Sequence, residues 1–277
     1  MTRILVTGAG GMLGRDIVAA GGDVEIVALT HGDLDITDPT ATAAAVAGAD
    51  PDVVINCAAW TDVDGAERDE AAALAINATG PGNLAAAAHA AGARMLHLST
   101  DYVFDGTATR PYLESDPTAP RSAYGRTKLA GELAVLAASP AHAVVRTAWL
   151  FGAGRSNFVS FVLARAEAGE DIPAFTDQFG CPTYTVHLAE KLLELALDDR
   201  GGVFHEAAAS HCSRFEFAES ILAIAEIAGT VVPTSRATHS ADRPAWSVLA
   251  SERDGTPLPP WREGLAAYLG LRAGAPR

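Results

Sequence analysis

Lysine is nearly absent from this 277-residue chain, and cysteine is scarce. Only two of the 20 basic residues are lysines, Lys128 and Lys191. The three cysteines, Cys57, Cys181 and Cys212, are far apart in sequence, which fits neither a disulfide framework nor a zinc site. No apolar run approaches the roughly 18 residues of a membrane helix, and the first residues lack the pattern of a signal peptide. We therefore expect a soluble, cytoplasmic protein without a membrane partner.

Positive charge is also in short supply, because 34 acidic residues against 20 basic ones give a net charge of −14. A nucleic-acid partner needs a basic protein face to neutralise its phosphates, so this balance argues against nucleic-acid binding. An anionic ligand would instead have to be held by a few local donors.

The first half of the sequence alternates short apolar runs with alanine-rich stretches. The runs are rich in Val, Ile and Leu without polar alternation, which is typical of parallel strands buried on both faces. Five strands are predicted, in RILVTG, VEIVAL, DVVINCA, RMLHLST and HAVVRTAW. This alternation predicts an α/β fold with a doubly wound parallel sheet. The composition changes after about residue 150, so we predict a first domain at 1–150 and a smaller, mainly substrate-binding C-terminal domain at 151–277.

A glycine-rich segment, TGAGGMLG, follows the first predicted strand and begins a predicted helix. Its glycines Gly8, Gly11 and Gly14 let the backbone turn tightly and approach a pyrophosphate at the helix N-terminus. The pattern predicts a Rossmann-like dinucleotide site to which Met12 and Leu13 also contribute. The alternative is a glycine-rich turn without a ligand, because short motifs give false positives. The strand before the motif and the βα pattern after it favour the nucleotide.

The end of the second predicted strand bears on the choice of cofactor. Thr30 and His31 lie where an NAD-selective site often has a carboxylate on the ribose 2′-hydroxyl. A 2′-phosphate therefore has room, and Arg15 either balances its charge or is a solvated helix residue. Asp35 and Ile36 either border the adenine or begin the helix cap in DITD. We predict NADPH as the cofactor, with NADH as a usable alternative.

Tyr124 and Lys128 are four residues apart, which places them on one face of a helix, one turn from each other. An ammonium near a phenol favours the phenolate and is expected to lower the tyrosine pKa. Such a pair is a general acid and base for a carbonyl that receives a hydride. Ser99 and Thr100 follow the fourth predicted strand, at the sheet edge where ligands bind. An accidental Tyr–Lys pair and a turn-forming Ser–Thr are the alternatives.

Eight segments match one family pattern, in order and along nearly the whole chain. They are TGAGGMLG, DLDITD, VVINCAAWTDVDGAE, STDYVFDG, YGRTKLAGE, VVRTAWLFG, DQFGCPT and RPAWSVL. Together they resemble the extended short-chain dehydrogenase/reductase family, and within it the dTDP-4-dehydrorhamnose reductases. The resemblance implies NAD(P)H-dependent reduction of the C4 keto group of dTDP-4-dehydro-L-rhamnose or a related dTDP-sugar. It also implies that Thr100, Tyr124 and Lys128 form the catalytic set.

The resemblance implies further ligand contacts. The expected contacts to the sugar nucleotide are Thr61, Val63, Asp101 and Trp149. The expected contacts to the cofactor in this part of the chain are Ala58, Ala59, Asn77, Tyr124 and Lys128. Trp149 has an alternative as a core residue between the two predicted domains, because large aromatic side chains are commonly buried.

Other activities of the same superfamily stay open at this point. Sugar-nucleotide dehydratases resemble a Thr-Asp-Glu pattern, whereas this chain reads Thr100-Asp101-Tyr102, which favours plain reduction. An epimerase and a non-catalytic NADP-binding regulatory subunit remain alternatives. Some family members bridge magnesium at a dimer contact, but no acid follows DQFGCPT until Glu190, so we predict no metal. The sequence leaves open whether the protein is a homodimer.

Overall fold

The computed structural model describes residues 1–236, 241–253 and 257–274, with side chains described up to residue 270. The last residues of the predicted C-terminal domain therefore lie outside the described residues. The strands are β1 Arg3–Thr7, β2 Glu25–Leu29, β3 Val53–Asn56, β4 Arg94–Thr100, β5 Ala143–Thr147, β6 Leu150–Phe151, β7 Ile172–Phe175, β8 Phe179–Gly180, β9 Thr183–Tyr184, β10 Gly202–His205, β11 Ala208–Ala209, β12 Cys212–Ser213, β13 Val231–Thr234 and β14 Leu258–Pro260.

Helices alternate with these strands along the chain. They are α1 Met12–Ala20, α2 Pro39–Ala49, α3 Val63–Arg68, α4 Glu70–Leu74, α5 Gly80–Ala90, α6 Ala123–Ala138, α7 Phe158–Glu167, α8 Thr185–Ala196, α9 Arg214–Ala225 and α10 Trp261–Gly274. A π-helical turn, Ala75–Thr79, joins α4 to α5, and a 3₁₀ turn, Asp101–Val103, follows β4. Among the helices of the described residues, none has both the length and the apolar character needed to cross a bilayer.

The central sheet has six parallel strands in the order β10-β5-β4-β3-β1-β2. The chain passes from β1 to β2 on one side and then crosses to β3 on the other, which is the topology of a doubly wound fold. The five predicted strands are present as β1 to β5, and the predicted fold class is confirmed. Residues that follow β1, β3, β4 and β5 meet at one carboxyl edge, where ligands bind in such sheets.

Side chains of β1 point alternately into two hydrophobic layers that cover the sheet. Ile4 and Val6 pack with Ile17 of α1 and Leu188 of α8 on one face. Leu5 packs on the opposite face with α2, α5 and α6. All five side chains are fully buried, and each such burial stabilises the fold by about 1.5–3 kcal/mol. The two layers therefore hold the carboxyl edge of the sheet in place.

The segment after residue 150 forms a second hydrophobic cluster and also completes the sheet. Phe151, Phe217 and Trp261 lie in this cluster, where α7, α9 and α10 pack together. β10 adds the sixth strand by pairing with β5, and α8 covers the sheet beside α1. A strand and a helix of the later segment thus belong to the layers of the earlier one. The division into 1–150 and 151–277 remains a prediction.

Candidate active site

The glycine-rich turn between β1 and α1 brings backbone amides to the carboxyl edge of the sheet. Gly8 has a φ of +70°, a left-handed conformation that favours glycine. A Cβ at Gly8 would lie 2.5 Å from the amide nitrogen of Ala58, and one at Gly14 would lie 2.5 Å from the carbonyl oxygen of Gly8. Gly11 is the N-cap of α1 and supplies no side-chain cap to the first helical N–H groups. This geometry fits a dinucleotide pyrophosphate.

The other predicted cofactor residues of this turn differ in their surroundings. Arg15 donates from Nε to the carbonyl oxygen of Gly10 at 3.2 Å, which holds its side chain next to the turn. Leu13 is buried in the layer that covers the sheet, so only its backbone is placed for a ligand contact. The Met12 sulfur accepts a hydrogen bond from Asn157 Nδ2 at 3.6 Å. The turn is therefore fixed from both halves of the chain.

A carboxylate that the sequence argument missed lies at the end of β2. The backbone N–H and the hydroxyl of Thr30 donate to Asp33 Oδ2 at 2.9 and 2.6 Å, and these bonds lower the pKa of Asp33. Asp33 lies in the turn after Leu29, the last residue of β2, and therefore beyond the strand end where Thr30 and His31 stand. Asp35 accepts from the N–H and hydroxyl of Thr37, and Ile36 is buried. A place for Asp35 and Ile36 beside the adenine remains a proposal.

Asn77 ties the segment after β3 to α6. Its fully buried side chain accepts from the N–H of Trp60 at 2.9 Å and donates to Thr127 Oγ1 at 3.1 Å. Ala58 and Ala59 lie half-buried just beyond β3, and Ala58 contacts the glycine turn. The predicted cofactor residues from β3 and from the π-helical turn therefore lie at one edge of the sheet.

The structure brings the three predicted catalytic residues together. Tyr124 and Lys128 lie in the first two turns of α6, and Thr100 is the last residue of β4, which α6 contacts. Lys128 is 2% exposed, and its Nζ donates to the carbonyl oxygen of Leu98 at 2.6 Å. Tyr124 is half-buried and lies edge-on to the ring of Tyr102, with 5.7 Å between ring centroids.

Burial is the main influence on the pKa values of Tyr124 and Lys128. Burial raises the pKa of Tyr124, and hydrogen bonding with the Thr100 hydroxyl only partly opposes it. Burial lowers the pKa of Lys128 to about 8, against the opposing charge of Glu132. The expectation that Lys128 lowers the pKa of Tyr124 is wrong for this structure, because removal of the phenol from water has the larger effect. The phenol therefore keeps its proton at neutral pH.

Asp101, which follows Thr100, is an almost fully buried carboxyl group. Ser247 donates to Asp101 Oδ2 at 2.5 Å, and the Thr100 hydroxyl donates to Oδ1 at 3.0 Å. Burial nevertheless raises the pKa of Asp101 to about 6. The next residue, Tyr102, accepts a hydrogen bond from Gln178 Nε2 at 3.1 Å. The carboxyl group thus sits beside the Tyr–Lys pair as a buried acceptor.

Residues from both halves of the chain surround the predicted sugar-nucleotide positions. Thr61 is exposed, and Val63 is half-buried at the start of α3. The next residue, Asp64, accepts from Arg243 Nη1 and Nη2 at 3.1 and 2.6 Å. Ser247 of the same C-terminal segment bonds Asp101. The sequence analysis missed Arg243 and Ser247 as neighbours of the site, although both lie in the RPAWSVL segment.

Trp149 is 9% exposed and packs in a hydrophobic cluster with Phe104, Cys181 and Val248. This position fits the core alternative, and a contact between Trp149 and the substrate remains a proposal. One face of its indole meets the guanidinium of Arg214, a residue that the sequence analysis did not single out. No sequence signal marked Arg214, because it belongs to none of the motifs.

A doubly wound parallel sheet, a glycine turn at the start of α1 and a Tyr–Lys pair beside the end of β4 define an NAD(P)-binding protein of the short-chain dehydrogenase/reductase type. Residues 1–272 match the family model described as "RmlD substrate binding domain". The chain belongs to this family. The resemblance seen in the sequence motifs is thereby confirmed.

Three relatives illustrate the similarity. The chain is 46% identical to a dTDP-4-dehydrorhamnose reductase of Mycobacterium tuberculosis H37Rv, over 98% of this chain and 93% of that protein. It is 42% identical to a dTDP-4-keto-6-deoxy-D-glucose reductase of Streptomyces niveus, over 97% of each. A crystal structure of the Bacillus anthracis dTDP-4-dehydrorhamnose reductase in complex with NADP superposes with a TM-score of 0.95 at 33% identity, covering 98% of this chain and 100% of that one.

Proposed function

We propose that the protein is an NADPH-dependent reductase of the C4 keto group of dTDP-4-dehydro-L-rhamnose, which yields dTDP-L-rhamnose. Its family membership, the activities named for its relatives and the NADP complex of a structural neighbour support this function. The observation that carries it is the meeting of Thr100, Tyr124 and Lys128 beside the glycine turn at one edge of the sheet.

The residues divide the proton chemistry among them. When bound, NADPH supplies the hydride to C4. Tyr124 gives its proton to the carbonyl oxygen, and the raised pKa keeps that proton in place until the oxygen becomes basic. Lys128, with its ammonium one helical turn away, stabilises the tyrosinate that remains. The Thr100 hydroxyl orients the carbonyl oxygen. One keto sugar, one NADPH and one proton give the alcohol and NADP⁺.

We assign the remaining predicted residues to binding. The proposed cofactor contacts are Gly8, Gly11, Met12, Leu13, Gly14, Arg15, Asp35, Ile36, Ala58, Ala59 and Asn77. The proposed sugar-nucleotide contacts are Thr61, Val63, Asp101 and Trp149. Close backbone approach at the glycine turn supports the first set, and the position near the Tyr–Lys pair supports Asp101 in the second.

Elimination is disfavoured at this site. A dehydratase would need a second acid after Asp101, and that position holds Tyr102, which accepts a hydrogen bond from Gln178. A homodimer, a cytoplasmic location and a division of binding between 1–150 and 151–277 remain predictions from the sequence. Sedimentation, cell fractionation and limited proteolysis test them in turn.

The direct test follows NADPH oxidation with dTDP-4-dehydro-L-rhamnose as substrate and dTDP-4-keto-6-deoxy-D-glucose as comparison. We expect turnover with the first substrate and kcat/KM for NADPH at least equal to that for NADH. Absence of NADPH oxidation with either sugar, in protein that binds NADPH, would overturn the proposed function. A strong preference for NADH would contradict the cofactor assignment alone.

A further inference from the structure

Trp149 adopts an unusual conformation at the sheet edge. Its φ is +47°, in the left-handed region that a bulky residue rarely occupies. Strained backbone of this kind persists where the surrounding structure holds it, and it concentrates at functional sites. The edge of the indole lies against Gly180, where a Cβ would come within 2.5 Å of Trp149 Cε2. The strained backbone of Trp149 and the lack of a side chain at Gly180 thus both serve to place the indole ring.

Hydrogen bonding does not account for this placement. The indole Nε1 is buried and has no hydrogen-bond partner within the described residues. A tryptophan that serves only as core usually pairs its N–H when buried. The flat face of Trp149 is engaged instead, because the Arg214 guanidinium carbon lies 3.6 Å from the ring centroid. The Phe158 ring lies 5.0 Å from the same carbon.

Arg214 differs from the other partly buried arginines. Arg146 pairs with Glu132, and Arg243 pairs with Asp64. In the part of the chain that the structure describes, the Arg214 guanidinium makes no hydrogen bond or ion pair with a side chain or carbonyl group. An arginine side chain stays charged in proteins, and the direct contacts of this cation among the described residues are the rings of Trp149 and Phe158.

The position of Arg214 connects it to the candidate active site. It is the first residue of α9, and its backbone N–H donates to the carbonyl oxygen of Gln178, whose side chain bonds Tyr102. Its guanidinium stacks on Trp149, two residues beyond the end of β5, and the nearby carboxyl group of Asp101 acts on it electrostatically. Within the described residues Asp101 forms no ion pair with Arg214, and its two oxygens accept from Ser247 and Thr100.

We propose that the Arg214 guanidinium, stacked on Trp149, binds the diphosphate of the nucleotide-sugar substrate. The stack covers the face of the guanidinium and leaves its in-plane N–H donors for oxyanions, the geometry in which arginine binds phosphate. A protein with a net charge of −14 repels a diphosphate at long range, and a local cation offsets that repulsion. This inference rests on the proposed function and adds a residue that family resemblance did not supply.

The experiment measures the dissociation constants of dTDP and thymidine by titration calorimetry, using the full chain saturated with NADPH. The variants are Arg214→Gln, which removes the charge, and Arg214→Lys, which keeps the charge but loses the planar donors. Arg262→Gln is the matched control, because Arg262 also stacks on a tryptophan, at 4.3 Å from the ring of Trp261, but donates to Ser220. Melting temperatures show that each variant is folded.

We expect Arg214→Gln to weaken dTDP binding by about 10- to 100-fold and to leave thymidine binding unchanged. Arg214→Lys should fall between the wild type and the glutamine variant, and Arg262→Gln should match the wild type. Equal dTDP affinity in wild type and folded Arg214→Gln or Arg214→Lys would overturn the diphosphate assignment while the proposed function stands. A wild type that binds no dTDP would instead overturn the proposed function.

Discussion

Burial acts in opposite directions on the two central residues of the candidate site. It raises the pKa of Tyr124 and lowers the pKa of Lys128 to about 8. At neutral pH the phenol is protonated and most of the lysine is charged, which is the combination that a ketone reduction requires. The raised pKa of Tyr124 disfavours the reverse oxidation, because that reaction needs a phenolate to accept the proton of the alcohol.

Tyr124→Phe should reduce turnover by at least about 100-fold, because it removes the proton donor and keeps the ring. NADPH affinity should stay within about twofold of wild type, since the phenol is not needed to hold the pyrophosphate. Steady-state kinetics and fluorescence titration of NADPH measure the two quantities. Substantial reduction by the phenylalanine variant would show that another group delivers the proton.

Asp101 makes a prediction about stability and pH. Its folded pKa of about 6 lies above the ordinary value of 3.8, so the native state binds protons more tightly than the unfolded chain. Stability from this group is therefore present at low pH and is lost as the pH rises through about 6. Asp101→Asn cannot ionise and should be more stable than wild type by roughly 1–3 kcal/mol at about pH 7.5.

Urea unfolding at about pH 7.5 and about pH 5 checks this expectation, and the advantage of Asp101→Asn should shrink at the lower pH. Asp52→Asn serves as a control, because Asp52 is exposed and accepts a hydrogen bond from the backbone N–H of Arg3. A pH-independent difference between Asp101→Asn and wild type would show that the carboxyl group does not carry the effect.

Single residues of the site were predictable where spacing carries the information. Tyr124 and Lys128 follow from helical periodicity, and Gly8 follows from its place after a strand. Asp33 and Arg214 could not be found in this way, because their contacts depend on a turn that folds back and on an aromatic face from another element. Likewise, burial cannot be read from spacing, which is why the pKa of Tyr124 was misjudged.

At the level of elements, α6 does more than carry the Tyr–Lys pair. Glu132 lies two turns beyond Tyr124 on the same face and is almost fully buried. It accepts from Arg146 Nε and Nη2 of β5 at 2.9 and 2.8 Å, and from Ser99 Oγ of β4 at 2.5 Å. A buried ion pair therefore locks the helix against the two strands that end at the site.

Glu132→Gln should destabilise the protein by about 3–5 kcal/mol, because it leaves the charge of Arg146 buried and uncompensated. Glu70→Gln is the control. Glu70 of α4 pairs with Arg126 of α6, the helix that carries Glu132, but both side chains of this pair are nearly half exposed. That change should cost about 0–1 kcal/mol. Denaturant unfolding of both variants gives the comparison, and equal losses would contradict a special role for the buried pair.

The elements themselves were predictable to different degrees. β1, β3, β4 and β5 are largely buried runs of mostly apolar residues, and the composition of β2 marks it as well, although this edge strand is only partly buried. The two-residue strands, such as β8 with β12 and β6 with β9, contain too few residues for any periodicity. They exist because the tertiary fold brings their backbones together.

For the whole molecule, the prediction that no metal ion takes part has a simple test. Among residues 1–236, 241–253 and 257–274 there is no group of three or more His, Cys, Asp or Glu side chains placed to hold an ion. We expect EDTA treatment to change neither the sedimentation coefficient nor the rate of NADPH oxidation. Loss of activity that magnesium restores would show that a metal takes part after all.

The sixth strand of the sheet also has a consequence for how the chain is made. β10 begins at Gly202, whereas its partner β5 ends at Thr147. The sheet therefore gains its sixth strand only through a contact between distant parts of the sequence. Contacts of this kind slow folding, because a long loop must be ordered before they form. On the ribosome, the nascent chain would carry β5 as an unpaired edge until residue 205 emerged. Such an edge invites pairing with other chains, and a chaperone that covers it during synthesis would protect the yield of native protein.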